Sequence, residues 1–163
     1  MICRSFEPVY ALDAKVMIVG SMPSVKSLAD AQYYAHPRNA FWPILFDIFG
    51  VVPHNDYARK KELICENGLA LWDVAACCER KGSLDSDMRK IEYNDFSALY
   101  AQCPHISAVL CNGGTAYALF MKSGFAGGRQ VFRMPSTSPA YTMPYEQKRT
   151  IWKDTLQDLI RHG

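Results

Sequence analysis

Short apolar runs alternate with longer amphipathic segments along this chain. Four runs are almost continuously apolar and end at turn signals, and we predict buried strands at 15–20, 69–74, 106–111 and 130–134. Runs of this length without polar alternation are typical of strands that are covered on both faces. The pattern therefore predicts a sheet that lies inside the molecule.

Apolar residues recur at helical spacing in six further segments, which we predict to be helices. These helices are expected at 25–32, 40–49, 57–67, 94–103, 115–123 and 145–162. In the last, Trp152 and Leu156 belong to an apolar stripe, with Lys148 and Lys153 largely opposite. Strands that alternate with helices predict an α/β fold with right-handed crossovers. We expect a three-layer αβα sandwich with a central four-stranded, mostly parallel sheet.

Length and composition fit one domain over residues 1–163. A chain of 163 residues with 49% hydrophobic composition can bury a substantial core, and no repeat or linker divides it. A net charge of +2 permits binding to a polyanion without demanding it, so we expect any such contact to be local and not a basic coat over the whole surface. With no leader pattern and no apolar span of ~20 residues, we expect a cytoplasmic protein that does not attach to membranes.

Six cysteines are present, but no two have the Cys-x-x-Cys spacing of a metal site. In a reducing compartment such cysteines are expected to be free, buried thiols. The sequence therefore predicts no metal and no cofactor.

Small and polar residues end each predicted strand or directly follow it. They are Gly20 to Ser24, Asp73, Asn112 to Thr115, and Pro135 to Ala140. In open α/β sheets, ligands bind at the carboxyl ends of the strands. We therefore expect these four segments to converge on one site.

Residues 33–42 combine aromatic rings with a histidine, an arginine and an amide. Rings stack on nucleobases, and cationic side chains meet phosphates. The same run leads into an apolar stretch that predicts a buried helix, so its residues alone leave both interpretations open. Its position after the first strand favours a base pocket, with the buried helix beginning near Trp42.

Two other segments are candidates for contact with phosphate. Gly113, Gly114 and Thr115 open a predicted helix, whose N–H groups favour an anion, although taken alone these residues are better explained by a simple turn with a threonine cap. Residues 136–140 offer hydroxyls and a proline-stiffened backbone, or else form a solvated loop.

Together the order of these motifs resembles the uracil-DNA glycosylase superfamily over nearly the whole chain. The segment 34–42, Tyr-Ala-His-Pro-Arg-Asn-Ala-Phe-Trp, is similar to one in mismatch-specific thymine/uracil glycosylases. Segments 20–24, 71–74, 80–86 and 136–140 most resemble the hypoxanthine-DNA (deoxyinosine) glycosylase branch. Other branches carry Asn or Asp where this chain has Met22, and a thioether cannot orient an attacking water.

The resemblance implies a role for each matching residue. In the hypoxanthine branch the catalytic amide corresponds to Asn39, and His36 either assists by donating to a phosphate or base, or completes a local polar network. Asp73 falls where the superfamily recognises the base, although it also fits a structural cap. The implied base-binding set is Gly20, Ser21, Met22, Phe41, Trp42 and Asp73, and the implied phosphate-binding set is Arg38, Asn112, Gly113, Gly114, Ser136, Ser138 and Ala140.

The resemblance thus implies a monofunctional DNA glycosylase that hydrolyses the N-glycosidic bond of deoxyinosine. Its expected partner is DNA that contains a deaminated base, and it is expected to act as a monomer. Two alternatives stay open. One is a uracil- or mismatch-specific glycosylase, and the other is a silent nucleic-acid-binding module, which Met22 favours.

Overall fold

The computed structural model describes residues 1–162, in which eight strands and six helices follow one another. The strands are β1 (Ile2–Arg4), β2 (Val9–Tyr10), β3 (Val16–Gly20), β4 (Leu69–Asp73), β5 (Ala75–Glu79), β6 (Arg89–Tyr93), β7 (Ala108–Asn112) and β8 (Gln130–Met134). The helices are α1 (Val25–Asp30), α2 (Phe41–Phe49), α3 (Tyr57–Glu66), α4 (Phe96–Gln102), α5 (Gly114–Ser123) and α6 (Tyr145–His162). All four predicted strands and all six predicted helices are present.

A five-stranded sheet forms the centre of the fold, in the order β2-β4-β3-β7-β8. β3 pairs in parallel with β4 and β7, and β7 pairs in parallel with β8. The α/β class and the mostly parallel sheet are confirmed. The predicted count of four strands was one too few, because the two-residue strand β2 adds an antiparallel edge to β4.

A second, three-stranded antiparallel sheet has the order β1-β5-β6 and was not predicted. β5 follows β4 after the single residue Val74, and its sequence Ala-Ala-Cys-Cys-Glu lacks the large apolar residues of a recognisable strand. β6 is largely polar and mostly exposed. Pairing with neighbouring strands, not local sequence, therefore defines both elements.

Helices cover both faces of the central sheet. Val16 and Ile18 of β3 pack in the same buried cluster as residues of α2, α3 and α6. Met17 and Val19 alternate with them and pack with residues of α4 and α5. This alternation produces the three layers that the sequence predicts.

One predicted helix face differs from the structure. Lys148 of α6 is 4% exposed, although its position opposite the apolar stripe suggested a solvated side chain. The loop after β8 covers it, and the Lys148 ammonium donates to the backbone oxygen of Ser138 at 3.0 Å. Within residues 1–162, none of the helices is both long enough and apolar enough to cross a membrane.

Candidate active site

A cavity of about 120 Å³ lies at the carboxyl ends of the parallel strands. All four segments that the sequence places there contribute to its wall, as does the segment between α1 and α2. The lining residues are Gly20, Ser21, Met22, Pro23, Ser24, Ser27, Tyr33, Tyr34, Asn39, Asp73, Ser83, Asp85, Asn112, Ser136, Thr137 and Ser138. The predicted convergence of these segments is therefore present.

Gly20 ends β3 at the point where two polar groups meet. A β-carbon at this position would lie 2.5 Å from Asp73 Oδ1 and 2.8 Å from the Tyr34 hydroxyl. Any side chain larger than hydrogen would thus displace the carboxyl group or the ring. Glycine is required here because the Asp73 and Tyr34 side chains approach its α-carbon closely, and not because of an unusual backbone angle.

Asp73 carries a buried carboxyl group at the end of β4. The residue is 3% exposed, and among the described residues its Oδ2 atom has no hydrogen-bond partner. Burial raises the pKa of Asp73 to about 7, the nearby Asp85 contributes to this rise, and Arg80 opposes both effects. Near neutral pH this group can therefore either donate or accept a hydrogen bond.

Asp85 is a second acid on the same wall, contributed by the loop between β5 and β6. Its Oδ1 accepts a hydrogen bond from the Ser21 hydroxyl at 2.8 Å. Burial raises the pKa of Asp85, whereas the hydrogen bond from Ser21 and the charge of Arg80 lower it. The turn-like sequence from Gly82 to Ser86 favours a structural cap for Asp85, whereas in the structure its contact with Ser21 connects it to the first loop.

Arg80 lies beneath this wall and is 3% exposed. Its Nη2 donates to the backbone oxygen of Pro23 in the first loop. The positive charge of Arg80 favours contact with a DNA strand, but a side chain this buried does not reach a phosphate on the surface. Its charge instead acts on Asp73 and Asp85 and favours their ionised forms.

Asn39 lines the cavity from the turn that precedes α2. Its Oδ1 accepts from the backbone N–H of Phe41 at 2.9 Å, and its own backbone N–H donates to the His36 oxygen at 2.9 Å. Because a backbone N–H can only donate, the first bond fixes which end of the amide is oxygen. The fold therefore holds the Asn39 side chain in one orientation at the cavity.

His36 and Arg38 belong to the same turn but lie outside the cavity wall. The His36 Nδ1 accepts from the backbone N–H of Arg38 at 3.1 Å, which leaves the ring proton on Nε2 in the neutral form. The Arg38 side chain is exposed. His36 thus stabilises the turn through this hydrogen bond, and it does not line the cavity.

Phe41 and Trp42 are part of the core and not of the cavity wall. They are 1% and 4% exposed, and the Trp42 indole donates to the Tyr33 oxygen at 2.8 Å. The expectation that these rings face a base is wrong, because both project into the layer between α2 and the sheet. Tyr34 occupies the wall instead, stacked on Phe41 with 4.2 Å between ring centroids.

Asn112 ends β7 and also faces the cavity. Both ends of its amide bind Thr137: Oδ1 accepts from the Thr137 N–H at 2.9 Å, and Nδ2 donates to the Thr137 hydroxyl at 3.0 Å. A carboxamide that is engaged in this way serves primarily to hold the next loop. Its predicted contact with phosphate is therefore not supported by its geometry.

The remaining residues of the predicted phosphate set are divided between two places. Ser136 and Ser138 line the cavity, whereas Ala140 is exposed outside it. Gly113 caps α5 with a φ of 100°, which favours glycine, and Gly114 packs against Arg133. Gly114, Arg133 and Ser136 share a neighbouring groove of about 280 Å³. The predicted phosphate set is thus divided between the cavity and a second surface beside it.

The predicted catalytic, base-binding and phosphate-binding sets omit seven polar or aromatic residues of the wall: Ser24, Ser27, Tyr33, Tyr34, Ser83, Asp85 and Thr137. The two tyrosines belong to the aromatic run, but their pattern does not tell which rings face inward. Asp85 and Thr137 lie in segments that resemble the hypoxanthine branch, and this was the available signal. Within residues 1–162, no cluster of three His, Cys, Asp or Glu side chains has the arrangement of a metal site.

Comparison with known proteins gives a consistent result. Two relatives named hypoxanthine DNA glycosylase are each 35% identical to this chain. That from Methanosarcina barkeri matches over 111 residues, 68% of this chain and 70% of its own length. That from Methanosarcina acetivorans matches over 117 residues, 71% of this chain and 74% of its own length.

The fold has a solved counterpart as well. The solution NMR structure of a candidate uracil DNA glycosylase from Methanosarcina acetivorans superposes with a TM-score of 0.84 at 29% identity, covering 98% of this chain and 99% of that chain. Residues 7–160 match the family model described as the uracil DNA glycosylase superfamily. The chain therefore belongs to the uracil DNA glycosylase superfamily.

Proposed function

We propose that this protein is a monofunctional glycosylase that removes hypoxanthine from deoxyinosine in DNA. The observation that carries the proposal is the meeting of Asn39, Asp73 and Tyr34 around one cavity at the carboxyl ends of the strands. These residues supply a fixed amide, a buried carboxyl group and an aromatic face. The relatives named hypoxanthine DNA glycosylase support the choice of base.

The chemistry of the N-glycosidic bond explains why these polar groups of the cavity wall are enough for its hydrolysis. Breaking an N-glycosidic bond builds positive charge on the sugar and negative charge on the leaving base, so polar groups that are already in place lower the barrier. In the proposed reaction Asn39 holds the attacking water or contacts the base and sugar. Asn39 thus takes the role that an Asn or Asp of the first loop has in other branches. In this chain that position is Met22, which cannot orient a water.

In the proposed reaction Asp73 recognises the edge of the base. Hypoxanthine presents an N1–H donor beside an O6 acceptor. An ionised Asp73 accepts from N1–H, and a protonated Asp73 donates to O6, so a pKa of about 7 keeps both forms available. The Tyr34 ring, fixed by its stack on Phe41, offers a flat face to an extruded base.

A monofunctional reaction fits the residues of the wall. A lyase that forms a Schiff base needs an amine beside the sugar, and none of the cavity's described lining residues is a lysine. The buried Lys148 donates to the Ser138 oxygen from the far side of the loop. We therefore expect no covalent adduct with DNA when borohydride is added during the reaction, and a trapped adduct would contradict this part of the proposal.

Two alternatives predict different products. A uracil- or mismatch-specific enzyme would act on uracil or mispaired thymine, and a silent module would bind damaged DNA without releasing a base. Incubation with duplexes that contain deoxyinosine, deoxyuridine or a G·T mismatch, followed by alkali, separates the three. The proposal predicts strand scission at deoxyinosine, whereas scission only at deoxyuridine, or binding without an abasic product, would contradict it.

A further inference from the structure

Thr137 connects the loop after β8 to the turn that carries Asn39. The Thr137 backbone oxygen accepts from the N–H of Ala40, which follows Asn39 directly, at 3.0 Å. On its other side Thr137 makes two hydrogen bonds with Asn112, one through its N–H and one through its hydroxyl. The residue is 1% exposed. The ends of β7 and β8 and the start of α2 thus meet at this residue.

The start of α2 depends on contacts from outside the helix. Its N-terminal cap is Ala40, whose side chain cannot accept a hydrogen bond from the first turn. The N–H groups of Ala40 and Phe41 are satisfied by the Thr137 oxygen and by Asn39 Oδ1 respectively. The N–H group that Thr137 holds, that of Ala40, therefore directly precedes the Phe41 N–H group that fixes the Asn39 amide.

The loop on which Thr137 lies is held from behind by α6. The Trp152 indole donates to the Pro135 oxygen at 2.9 Å, and the Lys148 ammonium donates to the Ser138 oxygen at 3.0 Å. Both of these side chains are buried. Backbone oxygens on each side of Thr137 are thus fixed by the helix, while the Thr137 oxygen holds Ala40.

We propose that Thr137 is a positioning residue for Asn39. Its bonds to Asn112 hold its carbonyl where the Ala40 N–H meets it, and this sets the turn that presents the Asn39 amide to the cavity. The inference rests on the proposed role of Asn39 in excision. Because misplacement of a catalytic group by about 1 Å can cost roughly 100-fold in rate, Thr137 governs the rate of excision and not the affinity for DNA.

The test replaces the Thr137 hydroxyl with a methyl group in Thr137→Val, which keeps the shape but removes the acceptor for Asn112. Thr137→Ser keeps the hydroxyl and is the matched control. In single-turnover excision of deoxyinosine, Thr137→Val is expected to lose at least about tenfold in rate, with the Kd for DNA changed by less than about threefold. Thr137→Ser is expected to stay within about threefold of wild type in both.

Hydrogen exchange of the Ala40 amide gives a second readout, which can be measured in the wild-type protein alone. In the folded wild-type protein this amide is expected to exchange slowly, and faster in Thr137→Val. Rapid exchange in wild type would overturn the proposal even if Thr137→Val failed to fold. Unchanged excision in folded Thr137→Val, or a rate loss matched by weaker DNA binding, would overturn it too. A wild-type protein without excision activity would instead contradict the proposed function.

Discussion

Asp73 Oδ1 lies 2.5 Å from the position that a β-carbon would occupy at Gly20. The carboxyl group and the glycine are thus a matched pair at neighbouring strand ends, where β3 and β4 pair in parallel with Gly20 opposite Asp73. The wall of the cavity depends on the absence of a side chain at this one position.

Gly20→Ala is therefore expected to damage the site. The added methyl group would push Asp73 or the Tyr34 ring out of place, and overpacking of this kind destabilises proteins by about 1–3 kcal/mol. We expect the single-turnover excision rate to fall by at least about tenfold. Gly82→Ala is the matched control, because a β-carbon at Gly82 meets no atom within 4 Å. Equal rates for the two variants would contradict the tight contact.

The raised pKa of Asp73 predicts a pH-dependent stability. Its pKa rises from 3.8 to about 7 on folding, so the folded state binds the proton more tightly than the unfolded state. The associated stability is fully present below about pH 4 and is lost as the pH rises through about 7. The shift corresponds to roughly 4 kcal/mol at most.

Asp73→Asn removes this titration. We expect its melting temperature to exceed that of wild type at pH 8, with the difference shrinking toward pH 4. Asp85 remains in both proteins and contributes to the raised pKa of Asp73, so the pH dependence of the difference reports the coupled pair of carboxyl groups. Asp154→Asn, at an exposed position of α6, is the control. A difference that does not depend on pH would show that Asp73 is not buried as a neutral acid.

Tyr34 is expected to provide the stacking surface for the extruded base. Stacking of a base on an aromatic ring contributes about 1–3 kcal/mol. Tyr34→Ala should therefore weaken binding of deoxyinosine DNA by roughly 5- to 150-fold, whereas Tyr34→Phe keeps the ring and should retain most of the affinity. Comparison of Kd values for the two variants tests this, and equal losses would assign the effect to the hydroxyl.

Trp42→Phe tests whether Trp42, instead of Tyr34, stacks on the base. The change removes the hydrogen bond from the indole to the Tyr33 oxygen. A lost bond of this kind costs about 1 kcal/mol of stability, and we expect the affinity for DNA to change little well below the melting temperature. A loss of affinity as large as that of Tyr34→Ala would show that the Trp42 ring is in the binding site.

The sequence predicts the parts of this protein that local pattern determines. Buried strands such as β3 stand out because their apolar residues are continuous, and Asp73 is recognisable because it is the polar residue at the end of such a strand. β5 is not recognisable, since Ala75 to Glu79 carries small side chains and becomes a strand only by pairing with β1 and β6.

The orientation of the aromatic run is the clearest example of what pattern leaves open. Tyr34, Phe41 and Trp42 are chemically similar, and only the packing of α2 decides that Tyr34 faces the cavity while the other two enter the core. In the same way the charge of Arg80 suggests an exposed contact, whereas the fold of the first loop encloses it.

The central claim is that Asn39 serves catalysis on deoxyinosine. The most direct measurement is single-turnover excision from a duplex with one deoxyinosine, comparing wild type with Asn39→Ala after confirming that both are folded and bind the duplex. We predict an alkali-labile abasic site with wild type and a rate at least about 100-fold lower with Asn39→Ala. An Asn39→Ala rate close to that of wild type would contradict the account.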